Sequence, residues 1–378
     1  MRLLMVSGDR QVSIGEKGPF HSMQREFSRY FERVDVICPR PPGEVTVQSI
    51  HDNVFLHPAR CGRGGMVSYI KARGAELIAE HRHALIVSHD YGWFYNGIGS
   101  AGLSKEMGVP YLSEIHHVPG YPVAADRRER FDRMVARIYI QWAKRRARAF
   151  RVVNRTQMPD LLRRWGVPDE KILVLPSLYI DLETFSPPDG VVKKEFDLCY
   201  VGRMVNNKGL FNIVDALARL AGRGQPLRAL FVGRGPFTER VKERLRERDL
   251  LDLAQFIEWV DTPADLAEVY RKSRVVCCAS TCEGGPRFTV EAMACGTPVV
   301  STPVGVMGEL LEEGGGRVCD FDAASLADSV EWVLAEPERY ERLGAEAHAI
   351  AQRFGYHEAI AGYATGLQRL VGEPEGMV

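Results

Sequence analysis

The stretch Val275-Val276-Cys277-Cys278-Ala279-Ser280-Thr281-Cys282-Glu283-Gly284-Gly285-Pro286-Arg287-Phe288-Thr289-Val290-Glu291-Ala292-Met293-Ala294-Cys295-Gly296-Thr297-Pro298-Val299-Val300 reads as strand, polar loop, helix, strand. The opening run is continuously apolar rather than alternating, as in strands covered on both faces. Two glycines let backbone approach a ligand closely. Proline is well tolerated at a helix start, so a helix begins near Pro286. Gly296 stops it and Pro298 opens the next strand.

The same alternation runs through the chain. Strands are predicted at Leu3–Val6, Val34–Ile37, Leu85–Val87, Tyr111–Ile115, Ala149–Val153 and Ile172–Leu175. A second set is predicted at Leu198–Val201, Ala229–Val232, Gln255–Trp259, Val275–Ala279 and Pro298–Ser301. Helical patterns lie between them, for example over Arg240–Arg248 and Leu266–Lys272. Alternating strand and helix gives an α/β fold with parallel, doubly wound sheets. The breaker run Ser186-Pro187-Pro188-Asp189-Gly190 separates two such sets. The expected organisation is therefore a first domain over 1–187 and a second over 188–355, with a cleft between them. Ligands of such sheets bind outside the carboxyl ends of the strands, so motifs at strand ends carry the chemistry.

The composition suits two soluble domains. The 378 residues exceed one ordinary core. Lys+Arg and Asp+Glu are equal at 49 each, so net charge points to neither nucleic acid nor an acidic partner. No apolar run approaches the roughly 18 residues of a membrane span. The eight cysteines form no CxxC pair and read as small core residues in a reducing, cytoplasmic setting.

Three strand-end elements of the second half carry polar chemistry. Glu283 lies on the loop after one strand and Glu291 on the helix that follows. That helix start, at Arg287 and Phe288, offers free N–H groups and a positive dipole end to an anion. Carboxylates accept hydrogen bonds from vicinal hydroxyls. Two acids flanking an anion-binding helix start therefore suit a sugar joined to a diphosphate. Val201-Gly202-Arg203-Met204-Val205-Asn206-Asn207-Lys208-Gly209 sets two cations at the rim of a tight turn. Arginine grips phosphate oxygens in pairs and lysine acts as a point charge. Val232-Gly233-Arg234-Gly235-Pro236 is a close-approach turn that lacks the third glycine of a dinucleotide fingerprint.

In the first half, the glycine loop Gly15-Glu16-Lys17-Gly18 precedes a helix start at Pro19. Glu114-Ile115-His116-His117 ends a strand, and His116 is the preferred proton handler or sugar contact there. The segment Arg127–Arg151 holds ten basic residues, and Met134, Ile138 and Trp142 recur at helical spacing. Either the stripe meets anionic lipid or it faces the core; its narrowness favours the core.

Taken together, Glu283 through Glu291 with the continuation to Val300, and Gly202-Arg203 with Lys208-Gly209, resemble glycosyltransferase family 4, retaining enzymes of the GT-B fold. The resemblance covers nearly all the second half and thins out in the first. It implies two Rossmann-like domains facing across a cleft, with a C-terminal helix, 356–378, crossing back to the first. It implies transfer of a hexose-type sugar from a UDP- or GDP-sugar to a glycan, lipid-linked or small-molecule hydroxyl, with no cofactor and no metal. An epimerase on the same fold is the alternative.

By the same resemblance Arg203 and Lys208 bind the donor diphosphate beside Gly202. Glu283 and His116 stand at the reacting sugar, with Gly284 and Gly285 beside it. The N–H groups of Arg287 and Phe288 meet phosphate, Glu291 the ribose, Val260 the base, and Gly15 to Gly18 the phosphates from the first domain. Pro176-Ser177-Leu178-Tyr179-Ile180-Asp181 departs from the family pattern by lacking its Asn-Gly turn.

Overall fold

A computed structural model describes residues 1–372; residues 373–378, the end of the expected last segment, lie outside the described residues. The first sheet holds β1 (Arg2–Val6), β2 (Arg33–Cys38), β3 (Ser49–Ile50), β4 (Val54–Pro58), β5 (Leu85–His89), β6 (Tyr111–Glu114), β7 (Ala149–Val152) and β8 (Ile172–Val174) in the order β3-β4-β2-β1-β5-β6-β7-β8. Only the β3–β4 pairing is antiparallel. The second sheet holds β9 (Phe196–Val201), β10 (Ala229–Val232), β11 (Ala254–Ile257), β12 (Ser273–Cys278), β13 (Val299–Ser301) and β14 (Gly316–Val318), all parallel, in the order β11-β10-β9-β12-β13-β14.

Both sheets form for the reason the apolar runs suggested. Leu3, Leu4, Met5 and Val6 point alternately to two faces and all are fully buried, each contributing about 1.5–3 kcal/mol by leaving water. Leu198, Tyr200, Leu230, Phe231, Val275 and Val276 do the same in the second sheet. Sequence patterning did not reveal β3, β4 and β14. β3 is a two-residue edge strand, joined to β4 by a turn in which His51 and Asp52 take positive φ. β14 is three residues long, too short for a period, and its Gly316 is required because a Cβ there would lie 1.8 Å from the Val299 carbonyl oxygen.

The domains are joined through the segment that lacks the Asn-Gly turn. Ile180 N–H donates to the Phe354 carbonyl at 2.7 Å, and Ile180 bridges to Gly355. The last helix, Tyr356–Gly372, then lies on the first domain, where Ile360, Tyr363, Ala364 and Leu367 join Leu3, Met5 and Phe27 in one apolar cluster.

The helix Arg127–Ala143 corrects the expected stripe. Its buried residues are Ala136, Tyr139, Ile140 and Ala143. Met134 and Ile138 are 51% and 63% exposed. The two alanines let the helix approach closely, and Tyr139 donates to the buried Asp90 at 2.6 Å. These contacts fix which face turns inward, leaving Phe131, Met134 and Ile138 outside while Trp142 of the expected stripe packs half-buried against the core.

Candidate functional site

The site begins at the carboxyl ends of β9 and β12. After β9 the chain turns through Gly202, and a short 3-10 turn, Asn206–Lys208, brings Lys208 back toward the sheet. Gly209 has φ of +64°, and a Cβ on it would lie 1.9 Å from the Ala279 carbonyl oxygen. Only glycine lets this loop lie against the end of β12. The result is a direct contact between the Lys208 ammonium and Glu283 Oε1. Ser280 Oγ donates to the same oxygen at 2.9 Å. Both charged side chains remain reachable from the cleft, at 13% and 16% exposure. Arg203 is exposed on the same loop.

The glycines after Glu283 touch the first domain. A Cβ on Gly284 would lie 2.6 Å from the His116 carbonyl oxygen, and one on Gly285 would lie 3.2 Å from Leu178. The helix Arg287–Ala294 starts immediately after Pro286, so the first-turn N–H groups of Arg287 and Phe288 have no intrahelical acceptor. Glu291 occupies a different environment from Glu283. It is buried on the helix, accepting from Arg287 Nε at 2.7 Å and from the Tyr270 hydroxyl at 3.1 Å. A carboxylate has about four acceptor sites, so two bonds do not saturate it. Val260 is half-buried against the second core, beside Trp259, which is 70% exposed with the Arg234 guanidinium 6.0 Å from its ring.

The first domain supplies the opposite wall. A cavity of about 370 Å³ opens at the ends of β1, β5 and β6, lined among others by Gly8, Phe20, His89, Glu114, His116 and His117. Gly15 closes a 3-10 turn at φ of +88°, and Gly18 precedes the helix Pro19–Phe27. His116 lies 3.6 Å from Glu114 Oε2, and His89 lies 3.2 Å from the same oxygen.

His117, ranked below His116 in the sequence, proves to stand in the field of the second-domain charges. The residue is exposed, yet desolvation by the protein packed around it lowers its pKa below the ordinary histidine value; Glu283 opposes this, while His116, Lys208 and Arg203 add to it. The structure brings Lys208 and Glu283 into contact, sets Gly284 against the His116 backbone, and holds Glu291 separately with Arg287 and Tyr270. The His-His pair at a strand end was the available signal for His117.

Beneath this wall lie two buried networks that sequence reasoning missed. Glu114 Oε1 accepts from Arg151 Nη1 at 2.9 Å and from the Tyr363 hydroxyl of the last helix. Arg151 also donates to the carbonyls of Leu175 and Pro176, and its guanidinium lies 3.6 Å from the Tyr363 ring centroid. Burial would raise the Glu114 pKa, but the charges of Arg151 and His89 outweigh it and hold the carboxyl well below its usual range. The second network surrounds Asp90, which accepts from Ser88 Oγ at 2.6 Å, from Ser113 Oγ and from Tyr139. Here burial wins over the hydrogen bonds and pushes the carboxyl up to about 7.

Polar contacts bind the two domains beside the cleft. Glu309 Oε1 accepts from Arg155 N, Thr156 N and Thr156 Oγ1, each at 2.8 Å. Gln157 bonds the Pro303 carbonyl and the Gly305 amide.

Two parallel-sheet α/β domains facing across a cleft, crossed by a returning C-terminal helix, define the GT-B architecture. The backbone superposes on the sucrose-phosphate synthase of Thermosynechococcus elongatus with a TM-score of 0.80 at 22% identity, covering 98% of both chains. It superposes on Anabaena HepE, solved with UDP and glucose, with a TM-score of 0.73 at 19% identity over 98% of this chain and all of the other. Residues 181–349 match the family described as glycosyl transferases group 1, and residues 20–177 match the glycosyl transferase 4-like domain. The chain belongs to this glycosyltransferase family.

A D-inositol 3-phosphate glycosyltransferase of Kineococcus radiotolerans is 29% identical over 74% of this chain and 71% of its own length. An MMP alpha-(1->4)-mannosyltransferase of Mycolicibacterium hassiacum is 28% identical over 72% of this chain and 67% of its own. The match to the D-inositol 3-phosphate glycosyltransferase of Gordonia bronchialis, also 29% identical, spans about half of that relative, 48%, and 54% of this chain.

Proposed function

We propose that the chain is a retaining glycosyltransferase that moves a hexose-type sugar from a UDP- or GDP-sugar to an acceptor hydroxyl. The observation that carries this reading is the Lys208–Glu283 pair at a strand end, on the loop that also exposes Arg203 and beside Gly284, which packs against the His116 backbone. A donor presents a diphosphate and sugar hydroxyls to the same spot. Lys208 and Arg203 meet the phosphates, and Glu283 takes a sugar hydroxyl. The amides of Arg287 and Phe288 add to the phosphate contacts, and Glu291 holds the ribose.

In the step proposed, the bond from the anomeric carbon to the diphosphate oxygen breaks and the acceptor oxygen bonds to that carbon on the same face. The acceptor proton passes to the departing phosphate oxygen. Charge grows on that phosphate in the transition state, where fixed cations stabilise it more than in the ground state. The cations Arg203 and Lys208 serve here in place of a metal, and no cofactor takes part. Relatives named as glycosyltransferases support transfer; no observation favours an epimerase.

The acceptor wall is the first-domain cavity with His116 and His117, and the working place proposed is the cytoplasm, in peripheral contact with a membrane. Among the described residues no helix is long and apolar enough to cross one. Thermal-shift titration with UDP-, GDP- and ADP-sugars identifies the base, because a ligand held only by the folded state raises its stability. Proton NMR of the product then reads the anomeric configuration. Inversion, or a rearranged nucleotide sugar in the absence of acceptor, refutes the proposal.

A further inference from the structure

The helix Arg127–Ala143 does something its fold role does not require. It turns Phe131, Met134 and Ile138 outward, 48%, 51% and 63% exposed. Trp93, on the loop after β5, is 66% exposed and stands with its ring centroid 6.3 Å from that of Phe131. Four large apolar side chains thus share one patch of the first domain. Such a patch in contact with water marks a surface that something covers.

The charge beside this patch is of one sign. A groove of about 410 Å³ runs along the same helix, lined by Arg130, Arg133, Met134 and Arg137 and, from the neighbouring helix Gln157–Arg164 and its end, by Arg164 and Trp165. Among the described residues the guanidinium groups of Arg130, Arg137 and Arg164 make no ion pair and no hydrogen bond. The acids of the helix are otherwise engaged. Glu129 accepts from the Ala125 amide, and Asp132 lies nearest Arg128, at 3.9 Å. The chain as a whole has zero formal charge, so this concentration of arginine is local.

We propose that this face docks the protein on an anionic phospholipid bilayer, with phosphate headgroups in the arginine groove and Trp93, Phe131, Met134 and Ile138 entering the interface. Charge complementarity selects this occupant. A basic helix with an outward apolar stripe lies in the plane of a membrane surface, its arginines at headgroup level. A second copy fits poorly, because a two-fold interface sets the same patch against itself and would oppose arginine to arginine. Nucleic acid fits the basic groove but not the exposed Phe131, Met134 and Ile138.

The position is also useful. Trp93 and Tyr91 line a first-domain cavity of about 420 Å³, and Tyr91 also lines the cavity that holds His116 and His117. Docked this way, the acceptor side of the cleft sits next to the lipid, so that an acceptor with a lipid anchor reaches it without leaving the bilayer. This last consequence rests on the transferase reading; the docking itself does not.

The test is sedimentation of the full chain with vesicles of phosphatidylcholine alone or with about a third of the lipid as phosphatidylglycerol. The expected result is binding to the anionic vesicles only, released by salt. Arg130→Gln with Arg137→Gln should weaken it about thirtyfold, roughly fivefold for each arginine near an anionic surface. Phe131→Ser with Ile138→Ser should weaken it roughly tenfold or more. All four side chains are exposed, and an unchanged thermal shift with nucleotide sugar confirms that each variant is folded. Equal binding to both vesicle types, or variants that bind like the parent, overturns the proposal. So does a concentration-dependent dimer in light scattering that the Phe131/Ile138 variant abolishes, since it gives the face to a second copy. Loss of donor binding with vesicle binding intact would instead count against the transferase reading alone.

Discussion

The two halves of the cleft carry their charge in opposite ways. On the second domain, Lys208 and Glu283 meet at a strand end where both can still be reached, with one serine hydroxyl as further support. On the first, Glu114 and Arg151 are fully enclosed, and two backbone carbonyls and a tyrosine from the last helix complete the arginine–carboxylate network. One pair is available for exchange with a ligand. The other is built to persist, and it ties the C-terminal helix to the sheet that holds the cleft histidines. The presence of an ion pair therefore says little about its role; accessibility and spare valence decide.

The comparison is most severely tested by Glu114→Gln. It leaves Arg151 buried without a counter-charge, which costs about 3–5 kcal/mol. Urea denaturation should show that loss, and a cost below about 1 kcal/mol would make the buried pair no different from a surface one. Glu283→Gln should do the reverse. Turnover of nucleotide sugar is expected to fall about a hundredfold to a thousandfold, while folding stability changes by less than about 1 kcal/mol. Unchanged turnover would remove Glu283 from the site.

Asp90 sharpens the comparison within the first domain. Its carboxyl titrates near 7 when folded and near its ordinary value of 3.8 when unfolded. The folded state therefore holds the proton more tightly. Its contribution is complete below pH 4 and is lost as pH rises through 7, with a slope of up to about 1.4 kcal/mol per pH unit. Asp90→Asn should remove that slope, so the variant gains on the parent between about pH 4 and 7 in thermal melts and no further above it. The smallest effect is expected at Glu309→Ala, which frees three bonds at an exposed domain contact. Stability should fall by about 0.5–1.5 kcal/mol, and small-angle scattering should show a more open pair of domains.

How much of this was legible follows the chain's locality. The second sheet, the Gly202–Gly209 turn and the Glu283–Glu291 run were readable because strand, glycine and charge lie within a few residues of one another. The staple in the first domain was not. Glu114 and Arg151 are 37 residues apart, and Glu114 and Tyr363 are 249 apart, so no window of sequence contains the network. Of the stripe on the helix Arg127–Ala143, Trp142 turns toward the core as assigned, but Met134 and Ile138 do not, because the helix packs on Ala136, Tyr139, Ile140 and Ala143. The edge strands β3 and β14 escaped because two or three residues carry no period.

The Lys208–Glu283 contact also governs what the resting protein ignores. With the ammonium already matched by a carboxylate, a lone inorganic phosphate gains little by entering: it must displace Glu283 and leave that acid without a partner. On the proposed reading a nucleotide sugar brings an anion for the lysine and a hydroxyl for the glutamate in one molecule, so it replaces both halves together. On that same reading the matched pair thereby screens the site against simple anions and favours a bipartite ligand before any part of the acceptor arrives.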